Sequence, residues 1–206
     1  MTLRPGDHLW YWTTTCRVSF DPGIPWAEWF PGATGPVDLR GEGPQIFNYV
    51  VHESGIVRGR PHLRNHPGTY TWLNHNPGNL TGRPGGPDLG QYPDRFNGEH
   101  FLVFPDRETG FAAIARLLRG PAYAGLTLTA ALRAYPSGIA HHDPGRYVAQ
   151  VAAAAGVDAS ATVGDLDDDQ MLAVQHRIAG IEGAVAGETL APDSPDLPAE
   201  VAVLLP

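Results

Sequence analysis

The chain has 206 residues, enough for one substantial core or a core with an attached arm. Its formal net charge of −8 argues against a nucleic-acid partner gripped by clustered Lys and Arg, and gives no long-range steering toward anionic polymers. Only 17% of the residues are charged, while Gly (25) and Pro (20) are abundant, which predicts short helices separated by much irregular chain.

Residues 1–43 hold Trp10, Trp12, Trp26 and Trp29, four of the five tryptophans. Leu9-Trp10-Tyr11-Trp12 and Arg17-Val18-Ser19-Phe20 read as two short strands, with turns at Asp21-Pro22-Gly23 and Phe30-Pro31-Gly32. A segment this short is expected to be an irregular arm packed on the main domain, since it cannot build its own core. The N-terminus lacks the apolar stretch of a signal peptide, and no apolar run approaches the ~18 residues of a membrane span. The expectation is a chain made in the cytoplasm, not inserted in a membrane, that reaches any wall substrate through another delivery system. Cys16 is the one cysteine, which excludes an internal disulfide framework.

The main domain is expected over residues 44–186. Pro44 suits a first helical position, and Ile46, Val50 and Glu53 then share a helix face that stops at Gly55. Residues 56–100 read as long loops with one or two short strands, followed by a hairpin-like run at Phe101-Leu102-Val103-Phe104-Pro105. From Asp106 the pattern turns helical, with Phe111, Ile114, Ala115 and Leu118 as an apolar stripe. Thr127 is set to cap a helix carrying Leu128, Ala131, Leu132 and Tyr135. Asp143-Pro144 opens another, which Gly156 ends. Asp167 opens a last helix with Met171, Val174, Ile178 and Ile181 on one side. The tail, 187–206, with Pro192, Pro195 and Pro198, reads as extended. The fold class is α+β, mostly α, with a small β region inserted after the first helix.

Chemistry is expected at that helix end. Glu53 on the Ile46/Val50 face, at a helix C-terminus, meets two conditions that keep a carboxyl protonated near neutral pH. The turn Asn74-His75-Asn76-Pro77-Gly78-Asn79 is rigid, because proline fixes φ, glycine allows positive φ and Asn side chains bond their own backbone. It either presents Asn76 and Asn79 amides to a sugar or only braces itself. Tyr70 and Trp72 stand just before it as aromatic platforms or core residues.

The order of Glu53-Ser54-Gly55, the Asn-Pro-Gly-Asn turn, Phe104-Pro105-Asp106-Arg107-Glu108-Thr109-Gly110-Phe111, Tyr123-x-Gly125-Leu126-Thr127 and Tyr147-Val148 resembles lysozyme-like and lytic-transglycosylase-like peptidoglycan glycosidases of phage particles and secreted toxins. The resemblance covers about residues 45–183, with His75 where the family carries an Asn, and Tyr135-Pro136-Ser137-Gly138 where it often carries Tyr-Ala-Pro-Pro. It implies a lysozyme-like fold that cleaves the bond between N-acetylmuramic acid and N-acetylglucosamine, with Glu53 as the acid. It also implies glycan contacts from Asn76, Asn79, His75, Trp72 and Tyr70, and no cofactor. The implied partners are peptidoglycan strands and, for a toxin, an immunity protein and a secretion component. A second carboxylate would come from Asp88, Asp94 or Glu99, none singled out by context. Its absence would favour a transglycosylase, in which one carboxyl serves as acid and then base.

Two other classes compete. Cys16 with a histidine would make a wall amidase, although its strand-like setting suits a buried small hydrophobe better. A wall-binding or virion structural module would use the N-terminal tryptophans without catalysis. His62/His66 and His141-His142-Asp143 lack a zinc signature, so no metal is expected.

Overall fold

A computed structural model describes residues 2–13, 17–20, 45–61, 67–98, 100–136 and 143–205. They form two compact units. One comprises Met1–Thr69 with Val185–Pro206, the other Tyr70–Ala184.

The first is a sheet unit. Strands β1 (His8–Trp12), β2 (Arg17–Ser19), β3 (Ile46–His52), β4 (Gly55–Gly59) and β7 (Glu188–Leu190) form an antiparallel sheet in the order β2-β1-β3-β4-β7. Period-2 alternation places Leu9, Tyr11, Tyr49, Val51, Ile56 and Leu190 on one face. There they cluster with Leu3, Leu197 and Val201, the last from the short helix α6 (Ala199–Ala202). Trp10, Trp12, Ile46, Val50 and Val57 alternate to the opposite face and are equally buried. At the edge, Arg58 ion-pairs with its cross-strand neighbour Glu188, and its guanidinium stacks 4.9 Å from the Phe47 ring.

The second is a helical unit. It contains α1 (Tyr70–Leu73), the two-stranded β5 (Phe96–Asn97) and β6 (Phe101–Leu102), and the helices α2 (Arg107–Leu118), α3 (Leu128–Arg133), α4 (Pro144–Ala155) and α5 (Asp168–Glu182). The expected helix starts are in place. Asp106, Thr127 and Asp143 each accept a hydrogen bond from the backbone N–H three residues on, and Asp167 forms a capping box with Gln170. The core joins Phe104, Ile114, Leu118, Leu132, Tyr135, Val151, Val174 and Ile178.

Four expectations are corrected. The segment after Pro44 is strand β3, not a helix. A spacing of four, as in Ile46/Val50, satisfies a strand's period as well as a helix's. The run Phe47-Asn48-Tyr49-Val50-Val51, rich in aromatic and β-branched residues, decides for the strand. The fold is therefore α+β with a five-stranded sheet, not the mostly helical, lysozyme-like outline. Residues 1–43 are not merely an arm: β1 is an interior strand of that sheet. Nor is the tail simply extended, because it supplies β7 and α6.

Candidate functional site

Glu53 lies in the two-residue turn of the β3–β4 hairpin, where His52 pairs with Gly55, and both Glu53 and Ser54 are exposed. Gly55 takes φ 139°, a conformation open to glycine, and a Cβ there would meet the Leu190 carbonyl oxygen at 3.1 Å. The signal that suggested a helix stop is thus a hairpin signal. The apolar niche expected around Glu53 does not exist, and Glu53 belongs to the sheet unit, whereas the Asn-Pro-Gly-Asn turn belongs to the helical unit.

That turn is an internal brace. Asn76 is fully buried. Its Nδ2 donates to the carbonyls of Leu80 (2.8 Å) and Leu102 (3.0 Å), and its Oδ1 accepts from the Leu80 N–H (2.9 Å). Asn74 accepts from Asn97 Nδ2 at 2.8 Å, which ties the turn to β5. Two glycines allow the close packing. A Cβ on Gly110 of α2 would lie 1.9 Å from the His75 carbonyl oxygen, and one on Gly78 would lie 2.5 Å from the Tyr135 hydroxyl. His75 and Asn79 adopt φ 50°, and both are half-buried. The His75 Nδ1 lies 3.2 Å from the Pro105 carbonyl oxygen, and burial lowers its pKa against the opposing pull of that contact and of Asp106. Trp72 and Tyr70 are half-buried, and Tyr70 packs on Phe101 with ring centroids 5.1 Å apart.

Of the candidate second carboxylates, Asp88 is exposed and accepts from the Gly90 N–H, and Asp94 sits in an exposed turn at φ 52°. Glu99 and Cys16 lie outside the described residues, as do Trp26, Trp29, His62, His66, His141 and His142. Trp10 and Trp12 are 4% and 1% exposed, which removes them as open stacking platforms.

The turn leads to a carboxylate that sequence reasoning missed. The Tyr135 hydroxyl donates to the Gly78 carbonyl at 3.0 Å, and Tyr135 lies within electrostatic reach of Tyr147 and Glu182. The Tyr147 hydroxyl donates to Glu182 Oε1 at 3.0 Å. Burial, foremost, and the neighbouring Glu182 push the Tyr147 pKa far up, so it remains a proton donor. Glu182 is 5% exposed and is the one carboxylate in the buried polar set of the described residues. It closes α5, one turn after the buried Ile178, and Gly183 caps the helix. The Gly183 carbonyl accepts from Thr71 Oγ1 at 2.7 Å, which fixes this helix end to α1. Val174, Ile178 and Glu182 follow at intervals of four with Gly183 next, a helix-face spacing close to the four-and-three of Ile46, Val50 and Glu53, here on a segment that is a helix.

Two cavities flank the same helix end. One, of about 360 Å3, is lined by Asp143, Arg146, Tyr147, Gln150, Arg177 and Gly180. The other, of about 520 Å3, includes Arg107, Phe111 and His176, whose ring lies 4.8 Å from that of Phe111. No group of three or more His, Cys, Asp or Glu placed to hold a metal occurs among the described residues. Comparison with protein-family models, curated proteins and solved structures yields no match.

Proposed function

We propose that the helical unit is a glycan-cleaving module acting on peptidoglycan, with Glu182 rather than Glu53 as the general acid. The observation that carries this reading is the Glu182 carboxyl, buried at the carbonyl end of α5 and held by Tyr147. An acid for glycosidic cleavage must be protonated near neutral pH, and burial and a helix C-terminus both favour that form. The Tyr147 hydroxyl donates to Glu182 Oε1 and so fixes the position of the side chain.

In the proposed step Glu182 protonates the bridging oxygen as the bond to the muramic anomeric carbon breaks. The resulting carboxylate then takes the proton of the muramic acid 6-hydroxyl as that oxygen closes on the anomeric carbon. This route uses a single carboxyl group, the number buried here among the described residues. The motif order that suggested a wall glycosidase falls within this unit once Glu53 is set aside.

The test is digestion of purified sacculi by the full chain. Glu182→Gln is expected to abolish release of soluble fragments while Glu53→Gln digests as the parent does. Anhydro-muramic ends in mass spectrometry identify the transglycosylase, reducing ends a hydrolase. Undiminished digestion by Glu182→Gln would remove the assignment.

The near-complete burial of the same carboxyl favours one alternative, a module that binds the wall without cutting it. In that case the parent and Glu182→Gln sediment equally with sacculi, and neither releases fragments.

A further inference from the structure

We infer that the cavity between α4 and α5 receives a carboxylate carried by the glycan, so that the helical unit selects muramic-acid-type saccharides over neutral amino-sugar chains. The choice of ligand rests on the glycan-cleaving reading above; the site rests on its own geometry.

Asp143, Arg146, Tyr147 and Gln150 fall at i, i+3, i+4 and i+7, one face of α4. Arg177, Gly180 and Ile181 form the facing stripe of α5. The two stripes line an open concavity of about 360 Å3, room for a carboxylate and the carbons beside it. Arg177 donates to Gln150 Oε1, which holds its fork in place across the cavity. Among the described residues, neither Arg146 nor Arg177 has a carboxylate within ion-pair distance. Two guanidiniums in one concavity, neither ion-paired among the described residues, are notable in a chain of net charge −8. Guanidinium groups bind carboxylates through paired, charge-assisted hydrogen bonds.

Asp143 is the one acidic residue in the lining. Its Oδ1 is committed to the Arg146 N–H at 3.0 Å as the cap of α4, and it leaves a net positive cavity. Gly180 keeps the floor open, since a Cβ there would meet nothing within 4 Å. Tyr147 joins the cavity to the proposed acid, because it lines one and its hydroxyl holds the other. A saccharide anchored here by a carboxylate would therefore lie beside the α5 terminus that carries Glu182. Muramic acid differs from glucosamine by a lactyl group ending in a carboxyl, which is either free or extended by a peptide with carboxylates of its own.

The experiment measures binding of uncleavable disaccharides to the full chain by calorimetry, which requires no catalysis. The probes are N-acetylglucosaminyl-N-acetylmuramic acid with a free lactyl carboxyl, the same disaccharide bearing its peptide, and neutral chitobiose. At least one carboxylate-bearing probe is expected to bind about tenfold or more tighter than chitobiose, with the gap narrowing as salt rises. A gap for the peptide-free probe assigns the lactyl group, and a gap only for the peptide-bearing probe assigns the peptide. Arg146→Gln with Arg177→Gln should close the gap by weakening the carboxylate-bearing probes. Gly180→Leu, which fills the cavity and keeps both charges, should close it too, and its melting curve reports whether the fold survives. No gap in the parent, or a gap untouched by both variants, overturns the proposal. If Glu182→Gln still digests sacculi while the gap behaves as described, the acid is misassigned and the carboxylate site stands.

Discussion

The Tyr147 hydroxyl donates a 3.0 Å hydrogen bond to Glu182 Oε1, joining the first turn of α4 to the last residue of α5 inside the helical core. The pair matters for stability whatever chemistry it serves. Tyr147→Phe leaves the ring in place and strips a buried carboxyl of this donor, a loss of about 1–3 kcal/mol. Urea unfolding should show a lower midpoint with an unchanged slope. A cost under half a kilocalorie would mean that water replaces the hydroxyl, and that the niche around Glu182 is wetter than its 5% exposure implies.

Asn76 separates bracing from sugar binding. Its side chain takes part in three backbone hydrogen bonds and is fully buried. Asn76→Ala should cost roughly 3 kcal/mol, since it strands the Leu80 N–H and two carbonyls. If instead the fold is undisturbed and only glycan affinity falls, the side chain has a surface role that its burial denies.

The helical unit was largely legible in the sequence, because its signals are local. Asp106, Thr127, Asp143 and Asp167 each cap the helix expected of them, and the apolar stripes behind them are the observed core. The sheet unit was not, because its order is nonlocal: β1 pairs with β3, and β4 with β7 across more than a hundred intervening residues. The Ile46/Val50 spacing fits both periods, so Glu53 inherited a helix that the aromatic and β-branched run turns into a strand. Glu182 was within reach of the same logic. It follows Val174 and Ile178 at intervals of four and precedes Gly183, but an apolar face running through Ile181 leaves out the polar residue beside it.

Glycines give a paired test of packing. Gly110→Ala places a Cβ 1.9 Å from the His75 carbonyl oxygen, a backbone atom that cannot swing away. The variant should lose several kcal/mol, or fail to fold, because α2 must separate from the turn. Gly180→Ala meets nothing within 4 Å and sits inside α5, so it should gain about 0.5–1 kcal/mol from helix propensity. Thermal melts of the two variants should shift in opposite directions, and a destabilised Gly180→Ala would show that the α5 face is covered.

Acid sensitivity should arise from half-buried histidines before carboxylates. Burial drives the His8 pKa down from 6.5 to about 4, against the weaker upward pull of Asp7, and burial also lowers that of His75. A base whose folded pKa is depressed is protonated first in the unfolded chain. Stability is therefore full above pH 6.5, falls as the pH drops toward 4, and changes no further from this source below 4. For half-buried His8 the loss is roughly 2 kcal/mol after discounting for its partial exposure. The Asp106 carboxyl, held low mainly by the Thr109 N–H, acts in a separate window: its contribution is present above its ordinary value of 3.8 and is lost only as the pH falls below that. Denaturant midpoints between pH 4 and 7 should decline toward acid in the parent and less steeply in His8→Gln, with the residual slope assigned to His75. Parallel profiles for parent and variant would mean that His8 titrates in the folded chain as it does in the unfolded one.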